Sequence, residues 1–209
     1  MTVKSAARCA AQLADNKYSI LFFDPILRLS GLAVKVIFEQ ENDTDGPELK
    51  PEQVEVQVHA SRLDEECVRI IAGTEFKSNF SHEIAGVVTR IGSAVTKFKQ
   101  GDRVLGFSGN KFASFQVTNQ LLIHKVHEEE QASRMASLPK AYGMAAYGLE
   151  TLLNLQPAEK VVVLPGTGFP GEATVNTAKA LGGKPYVAVQ SDSEVQLAMK
   201  RFSLSQIKY

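Results

Sequence analysis

Residues 82–107, HEIAGVVTRIGSAVTKFKQGDRVLGF, are the stretch of sequence that decides the fold. The stretch holds two apolar runs, HEIAGVVTRIGSAV and KQGDRVLGF, and each run predicts a β-strand. Glycine marks the turns, in Gly-Ser at residues 92–93 and in Gln-Gly-Asp at residues 100–102. The stretch therefore predicts two short strands bounded by tight turns.

The sequence on both sides of this stretch continues the β pattern. Residues 54–60, VEVQVHA, alternate strictly, so valines form one face of a half-buried strand. Glu55, Gln57 and His59 are predicted to form the other, polar face. Residues 112–126 are also β-prone. Short strands at such close spacing indicate a small barrel.

The pattern changes beyond the barrel region. Residues 129–155 carry Ala, Leu and Met at helical spacing. Residues 160–183 predict a buried strand, a glycine turn and a helix. A second buried strand is predicted over residues 184–190, and a second helix with one apolar stripe over residues 191–202. The order predicts an α/β fold in two parts, with the boundary near Pro139.

The predicted organisation has three segments. Alanines at helical spacing predict a short helical lead or linker over residues 1–17. The barrel domain is assigned to residues 18–138, and the β-α-β-α domain to residues 139–209.

The composition excludes several classes of function. The 209 residues are 44% apolar, and their net charge of zero offers no basic surface for nucleic acid or an anionic membrane. Apolar stretches are too short to span a bilayer, and the N-terminus lacks the apolar core of a secretory signal. Cys9 and Cys67 cannot form a disulfide framework. We therefore expect a cytoplasmic protein without nucleic-acid or membrane partners.

Residues 166–171, GTGFPG, carry the candidate site. In a G-x-G-x-x-G motif between a strand and a helix, the glycines let pyrophosphate approach the backbone, and the helix N-terminus attracts the anion. Proline is accepted near a first helical turn. The alternative is a glycine turn that only joins strand to helix, but its flanks favour dinucleotide-binding ancestry. The predicted cofactor-binding residues are Gly166, Thr167, Gly168, Phe169, Pro170, Gly171 and Ser191.

Three stretches, residues 54–61, 82–107 and 153–183, together resemble the medium-chain dehydrogenase/reductase superfamily, and within it the enoyl reductase domain of fungal highly reducing polyketide synthases. The resemblance implies a GroES-like β-barrel domain followed by an incomplete Rossmann-like nucleotide-binding domain. It also implies NADPH as the cofactor, with hydride transfer to an α,β-unsaturated thioester on an acyl carrier protein. Other polyketide synthase domains are the implied partners.

The chain departs from the family pattern in the active-site loop. Fungal enoyl reductases carry an amide and an arginine where this chain has Asp64 and Glu66, in the run ASRLDEEC at residues 60–67. Carboxylates there would oppose the cofactor's phosphates and the enolate charge of the reaction. They can be interpreted as paired acid and base groups. We favour the other interpretation, an acidic helix start, because Asp and Glu stabilise a first helical turn.

A second departure lies at residues 190–195, QSDSEV, where the family typically has Lys-Arg. NADPH preference there loses its charge partners. Ser191 and Glu194 fit a capping box instead, although the serine hydroxyl can still contact a ribose. The chain also stops after the second helix, whereas such a domain uses two β-α-β-α-β halves. We therefore expect a fragment, or a domain that depends on a partner.

Other residues give weaker signals. His82-Glu83 resembles the Gly-His-Glu of zinc-dependent alcohol dehydrogenases, but cysteine ligands are missing near Asp64 and Pro165. No metal site and no catalytic residue are therefore assigned, and His82 is interpreted as a packed or hydrogen-bonded residue at a strand start. Tyr147 is either an acid near the nicotinamide or, as we favour, a core residue.

The sequence thus predicts an enoyl-reductase-like oxidoreductase domain of a polyketide synthase, impaired or inactive as this chain and structural in role. One alternative is an active quinone-oxidoreductase-type or enoyl-reductase-type enzyme completed by another chain. The other is a protein-docking module that acts through its incomplete sheet edge.

Overall fold

The structure is a computed structural model that describes residues 19–23, 36–40, 48–72, 82–109 and 112–202. The predicted helical lead at residues 1–17 lies outside the described residues. The chain divides into two units, residues 1–137 and 138–209. None of the helices in the described ranges is both long enough and apolar enough to cross a membrane.

The first unit is built from antiparallel strands. These are β1 (Ser19–Phe23), β2 (Val36–Gln40), β3 (Gln53–Ser61), β4 (Glu83–Ile91), β5 (Arg103–Phe107), β6 (Phe115–Asn119) and β7 (Ile123–Lys125). β1 pairs with β2, and the other five form one sheet in the order β6-β3-β4-β5-β7. A 3-10 turn at Gln120–Leu122 separates β6 from β7. Helix α1 (Glu65–Ala72) follows β3, and the short helix α2 (Ala132–Met135) follows β7.

Residues 82–107 form the two strands β4 and β5, as predicted. Their antiparallel register places Glu83 opposite Phe107 and Val87 opposite Arg103. Their inward side chains meet those of β3 in the core of the unit. The buried members of this core are Val54, Val56, Ile84, Val88, Val95, Phe98, Val104 and Ile123.

Glu55 departs from the alternation predicted for β3. The prediction of an exposed polar position is wrong, because only 1% of Glu55 is exposed. β4 has one extra residue, Thr89, between the partners of Glu55 and Val56, so both Thr89 and Arg90 lie beside Glu55. Thr89 Oγ1 donates to Glu55 Oε1 at 2.7 Å, and Arg90 donates from Nε at 3.0 Å and from Nη2 at 2.5 Å. The carboxylate is buried because β4 supplies its donors.

Asp102 fixes the turn between β4 and β5. Its Oδ2 accepts a hydrogen bond from the Lys99 amide at 2.8 Å and lies 2.7 Å from Nζ of Lys125, on β7. The hydrogen bond from Lys125 lowers the pKa of Asp102 below its ordinary value of 3.8; burial opposes this shift and the Lys99 amide adds to it. Because Lys125 comes from another strand, the ion pair ties the turn to the sheet.

The second unit combines helices with two parallel strands. Its elements are α3 (Pro139–Ala146), a π-helical segment (Tyr147–Leu152), β8 (Lys160–Val163), α4 (Phe169–Ala180), β9 (Lys184–Val187) and α5 (Asp192–Phe202). Val163 of β8 lies opposite Val187 of β9. Both valines join Val175 of α4 and Ala198 and Phe202 of α5 in one core. The predicted strand-helix-strand-helix order is confirmed.

Only one face of the β8–β9 sheet is buried. The helices α4 and α5 share a core with Val163 and Val187, which lie on the same face. The prediction of fully buried strands is wrong for the other face, which carries Val162 and Tyr186 and is continued by Leu164. These three side chains belong to residues that are 70%, 43% and 67% exposed, respectively. Nothing among the described residues covers this apolar face.

Replacing Glu55 by alanine is expected to lower the free energy of unfolding by about 1–3 kcal/mol, because the donors of Thr89 and Arg90 lose a buried acceptor. Urea denaturation of the full chain, followed by circular dichroism, measures this change. Glu129→Ala removes an exposed carboxylate and is the control, with an expected change within about 0.5 kcal/mol. Equal losses in the two variants would contradict a special role for Glu55.

Asp102→Asn is expected to reduce the acid sensitivity of the fold. The folded-state pKa of Asp102 is lowered, so its ionised form contributes stability above the ordinary pKa and loses that contribution as the pH falls through the lowered value. The loss of this stability therefore begins at about pH 4 and continues as the pH falls further. Urea midpoints at about pH 7 and about pH 3 should differ less in Asp102→Asn than in the wild type. If the two urea midpoints differ as much in Asp102→Asn as in the wild type, the Asp102–Lys125 ion pair does not contribute to stability.

Candidate functional site

The glycine turn at residues 166–171 joins β8 to the first turn of α4. The amide of Gly166 donates to the carbonyl of Ala188 at 2.8 Å, which ties the turn to the chain that follows β9. Gly168 is the N-cap of α4, with φ 84° and ψ 167°. Pro170 lies in the first turn of the helix, as the sequence predicts.

Each of the three positions requires glycine for a different structural reason. A Cβ at Gly166 would lie 2.2 Å from Cγ1 of Val187, and a Cβ at Gly171 would lie 2.3 Å from the carbonyl oxygen of Pro165. A side chain at Gly171 would require the backbone to move, and one at Gly166 would require the side chain of Val187 to move. Gly168 has room for a Cβ, but glycine adopts its positive φ far more readily than other residues do. The turn therefore brings β8, α4 and β9 into close backbone contact.

The start of α4 fits an anionic ligand. The first backbone N–H groups of a helix lack intrahelical acceptors, and the helix dipole makes this end positive. Gly168 has no side chain with which to cap them. Pro170 has no N–H group, so the first turn of α4 has one amide fewer than an ordinary helix start. The glycine cradle and this helix end together fit the pyrophosphate of a dinucleotide.

A cavity of about 180 Å³ lies beside the turn, between α4 and α5. Its lining includes three residues of the predicted site, Thr167, Gly168 and Phe169, together with residues of α5. Arg201 Nη1 of α5 donates to Glu172 Oε2 of α4 at 2.6 Å. Local spacing in the sequence does not reveal this pair, because its members are 29 residues apart. The lining residues are Thr167, Gly168, Phe169, Glu172, Leu197, Ala198, Arg201 and Phe202.

Ser191 acts as a helix cap. Its Oγ accepts a hydrogen bond from the Glu194 amide at 3.4 Å, and Glu194 Oε2 accepts one from the Gln190 amide at 2.7 Å. The predicted capping interaction is therefore confirmed, with the difference that the carboxylate binds the amide of Gln190 rather than that of Ser191. Ser191 is exposed and does not belong to the lining of the cavity beside the turn.

The acidic run after β3 is a helix start, as favoured from the sequence. Asp64 Oδ1 accepts a hydrogen bond from the Cys67 amide at 3.1 Å, which caps α1. Glu65 pairs with Arg69 at 2.9 Å, one turn along the same helix. Cys67 is buried, with 3% of the residue exposed. The alternative of a catalytic carboxylate pair gains no geometric support here.

Glu83, next to His82, has a partner that the sequence did not reveal. Arg62 Nη1 lies 3.5 Å from Glu83 Oε2 and 3.3 Å from the carbonyl oxygen of Ser137. His82 is exposed, and its Nδ1 lies 3.4 Å from the carbonyl oxygen of Ser108. His82 is thus a hydrogen-bonded residue at the start of β4, as interpreted. Across the described ranges, no group of three or more His, Cys, Asp or Glu side chains could hold a metal ion.

Tyr147 does not pack in the core. Core packing, the interpretation favoured from the sequence, is wrong, because 59% of Tyr147 is exposed, whereas Leu149 of the same π-helical segment is buried. The buried residues Ala141, Ala145 and Leu149 recur every four residues, and Tyr147, two positions before Leu149, lies on the opposite face of the helix. Tyr142, one turn earlier, is half-buried, and its hydroxyl accepts a hydrogen bond from Asn176 at 3.2 Å.

Comparison with known proteins identifies the family. Residues 50–165 match the alcohol dehydrogenase GroES-like domain. The reducing polyketide synthase DEP5 of Fusarium langsethiae is 45% identical over 164 residues, which are 78% of this chain and 7% of that protein. DEP5 of Alternaria brassicicola is 40% identical over 184 residues, 87% of this chain and 8% of that protein. The chain thus spans less than a tenth of the length of these relatives.

Solved structures share the fold. The crystal structure of CurK enoyl reductase matches with a TM-score of 0.71 and 21% identity, over 93% of this chain and 59% of that one. A quinone oxidoreductase of Escherichia coli, crystallised with NADPH, matches with a TM-score of 0.63 and 19% identity, over 88% of this chain and 56% of that one. The predicted α/β fold with a GroES-like part is therefore confirmed. This chain belongs to the medium-chain dehydrogenase/reductase superfamily and is similar to the enoyl reductase region of fungal reducing polyketide synthases.

Proposed function

We propose that this chain is an enoyl-reductase-like domain of a polyketide synthase that keeps a dinucleotide-binding turn but reduces substrate weakly or not at all, and that its role is structural. The observation that carries the proposal is the glycine turn, because two of its glycines leave no room for a Cβ. Close packing of the helix against the strand at such glycines is part of the dinucleotide-binding fingerprint, together with the tight turn and the open approach to the backbone. The turn therefore supports retained affinity for a dinucleotide.

NADPH is the dinucleotide that the family uses and that we propose here. The start of α4 and the backbone at Gly168 would hold its pyrophosphate, Gly166 and Gly171 would allow the close approach, and Ser191 could reach a ribose. When bound, NADPH supplies a hydride to an α,β-unsaturated thioester. Residues 190–195, which follow β9, lack the Lys-Arg pair that relatives typically carry there, so the 2′-phosphate lacks its usual charge-assisted partners.

The region after β3 supports weak or absent reduction. Asp64 stands where relatives carry an amide, and its carboxylate is engaged in capping α1. Glu66 stands where relatives carry an arginine. Reduction of an enoyl thioester builds negative charge on the enolate oxygen, and enzymes stabilise that charge with hydrogen-bond donors or cations. An ionised carboxylate accepts hydrogen bonds and repels this charge, so the sequence here supports a structural role.

Other polyketide synthase domains are the proposed partners, together with an acyl carrier protein. The relatives that this chain matches are polyketide synthases of far greater length. In that setting a reductase-like domain contributes surfaces to the assembly even without turnover. An acyl carrier protein follows from the reaction of the family, whose substrates are held as thioesters.

The exposed face of the β8–β9 sheet favours a second candidate, an active reductase completed by another chain. Parallel sheets are normally covered on both faces, and here Val162, Leu164 and Tyr186 are exposed. Additional polypeptide that covers this face would also bring further groups towards a cofactor on the glycine turn. The third candidate, a docking module, uses the same surface without catalysis.

NADPH titration of the purified full chain, followed by nicotinamide fluorescence, tests the proposed function. We expect saturable but weak binding, because the pyrophosphate cradle is present and the cations for the 2′-phosphate are absent. With a crotonyl thioester added, NADPH oxidation should stay at the level of a protein-free control. Rapid oxidation by the chain alone would refute the structural role. Oxidation that appears only after further synthase domains are added would favour the second candidate.

Gly171→Ala is expected to abolish NADPH binding and to lower the melting temperature, because its Cβ would lie 2.3 Å from the Pro165 carbonyl oxygen. Gly143→Ala is the matched control, since Gly143 lies inside helix α3 and a Cβ there meets nothing within 4 Å. The control should be stabilised by roughly 0.5–1 kcal/mol and should bind as the wild type does. Thermal melting and fluorescence titration of both variants check this. A melting temperature and an NADPH affinity equal to those of the wild type in Gly171→Ala would show that the turn has room for a side chain.

A further inference from the structure

Glu172 places a negative charge close to the proposed pyrophosphate site. It is the fourth residue after Gly168, the N-cap of α4, and therefore lies about 6 Å further along the helix axis. A carboxylate in a first turn stabilises the helix through its dipole. The same charge repels a second anion at that helix end, and cofactor phosphates are such anions. On its own, Glu172 would weaken dinucleotide binding.

Arg201 lies on the opposite wall of the cavity and pairs with this carboxylate. Its Nη1 donates to Glu172 Oε2 at 2.6 Å, and the two side chains are 54% and 30% exposed, respectively. The two residues are on different helices, and both line the cavity that also contains Thr167 and Gly168. The positive charge that offsets Glu172 therefore reaches the site through the fold, and no motif around the glycine turn supplies it.

We infer that Arg201 is a positioning residue for the dinucleotide: it neutralises Glu172, so that the start of α4 keeps a positive field for the cofactor's phosphates. The inference rests on the proposed function and deepens it. It also assigns a role to a cation far from residues 190–195, where the family's own cations are absent. Arg201 acts through Glu172 and makes no contact with the cofactor.

Removing the positive charge of Arg201 leaves the negative charge of Glu172 without its partner. In Arg201→Gln, an unpaired carboxylate faces the phosphates across several ångströms of partly solvated space. At low ionic strength this repulsion should raise the dissociation constant for NADPH about three- to tenfold. The effect should shrink as salt is added, because exposed charges are screened beyond about 10 Å at 0.1 M salt. Arg201→Lys keeps the charge and should bind nearly as the wild type does.

The double variant Glu172→Gln/Arg201→Gln separates charge from structure. It removes the repelling carboxylate together with its partner, so NADPH affinity should return to near the wild-type value. A merely structural tether between α4 and α5 would instead stay broken, with affinity as low as in Arg201→Gln. Lys200→Gln removes a positive charge from the neighbouring exposed position on the same helix and should leave affinity unchanged.

The experiment is a fluorescence titration of NADPH against the full-length wild type and these variants at two salt concentrations, with melting curves of each protein alone. Restored affinity in the double variant supports the inference, even where its melting temperature stays low. Unchanged affinity in Arg201→Gln overturns it. Equally weak binding in the double variant also overturns it, since Arg201 would then contact the cofactor or only hold the fold. If the wild type binds no NADPH, the proposed function itself fails. If the wild type binds NADPH but the variants behave in one of the two contradicting ways, only the role of Arg201 fails.

Discussion

Close backbone contact at the glycine turn is the constraint on which the second unit depends. β8, the start of α4 and the end of β9 approach each other so closely that Val187 and the Pro165 carbonyl occupy the space of a side chain at Gly166 and Gly171. The parallel pairing of β8 with β9 and the core beneath it require this approach. The same turn lies at the start of α4, where the helix dipole is positive. Packing and the proposed binding of an anion therefore depend on the same glycines.

Carboxylates show a common theme across both units. Asp64 caps α1, Glu55 accepts hydrogen bonds from β4, Asp102 holds a turn to β7, and Glu194 caps α5. Each has donors within hydrogen-bond distance, and so each has a structural explanation. Acidic residues near a family's active-site loop invite a catalytic interpretation. In this chain the local geometry explains Asp64 and Glu65 through helix capping and ion pairing instead.

Much of the fold could be predicted from local patterns. The strands of residues 82–107, the glycine turn with Pro170 in the first turn of α4, and the helix caps at Asp64 and Ser191 all follow from residue type and spacing. Three expectations failed for identifiable reasons. An extra residue in β4 supplies the donors that let Glu55 be buried. Tyr147 lies opposite the buried positions of its helix, and the packing of both helices on one face leaves Val162 exposed. Each failure reflects a pairing or packing choice that lies outside the local pattern.

The sequence by itself determined the order of elements, the superfamily and the position of the glycine turn, because these depend on periodicity and on residues adjacent in the chain. Only the tertiary structure decided which charges meet. Glu55 with Arg90, Glu83 with Arg62, and Glu172 with Arg201 are separated by 35, 21 and 29 residues. Coulomb attraction depends on distance in space, which the chain fixes only after strands and helices have packed.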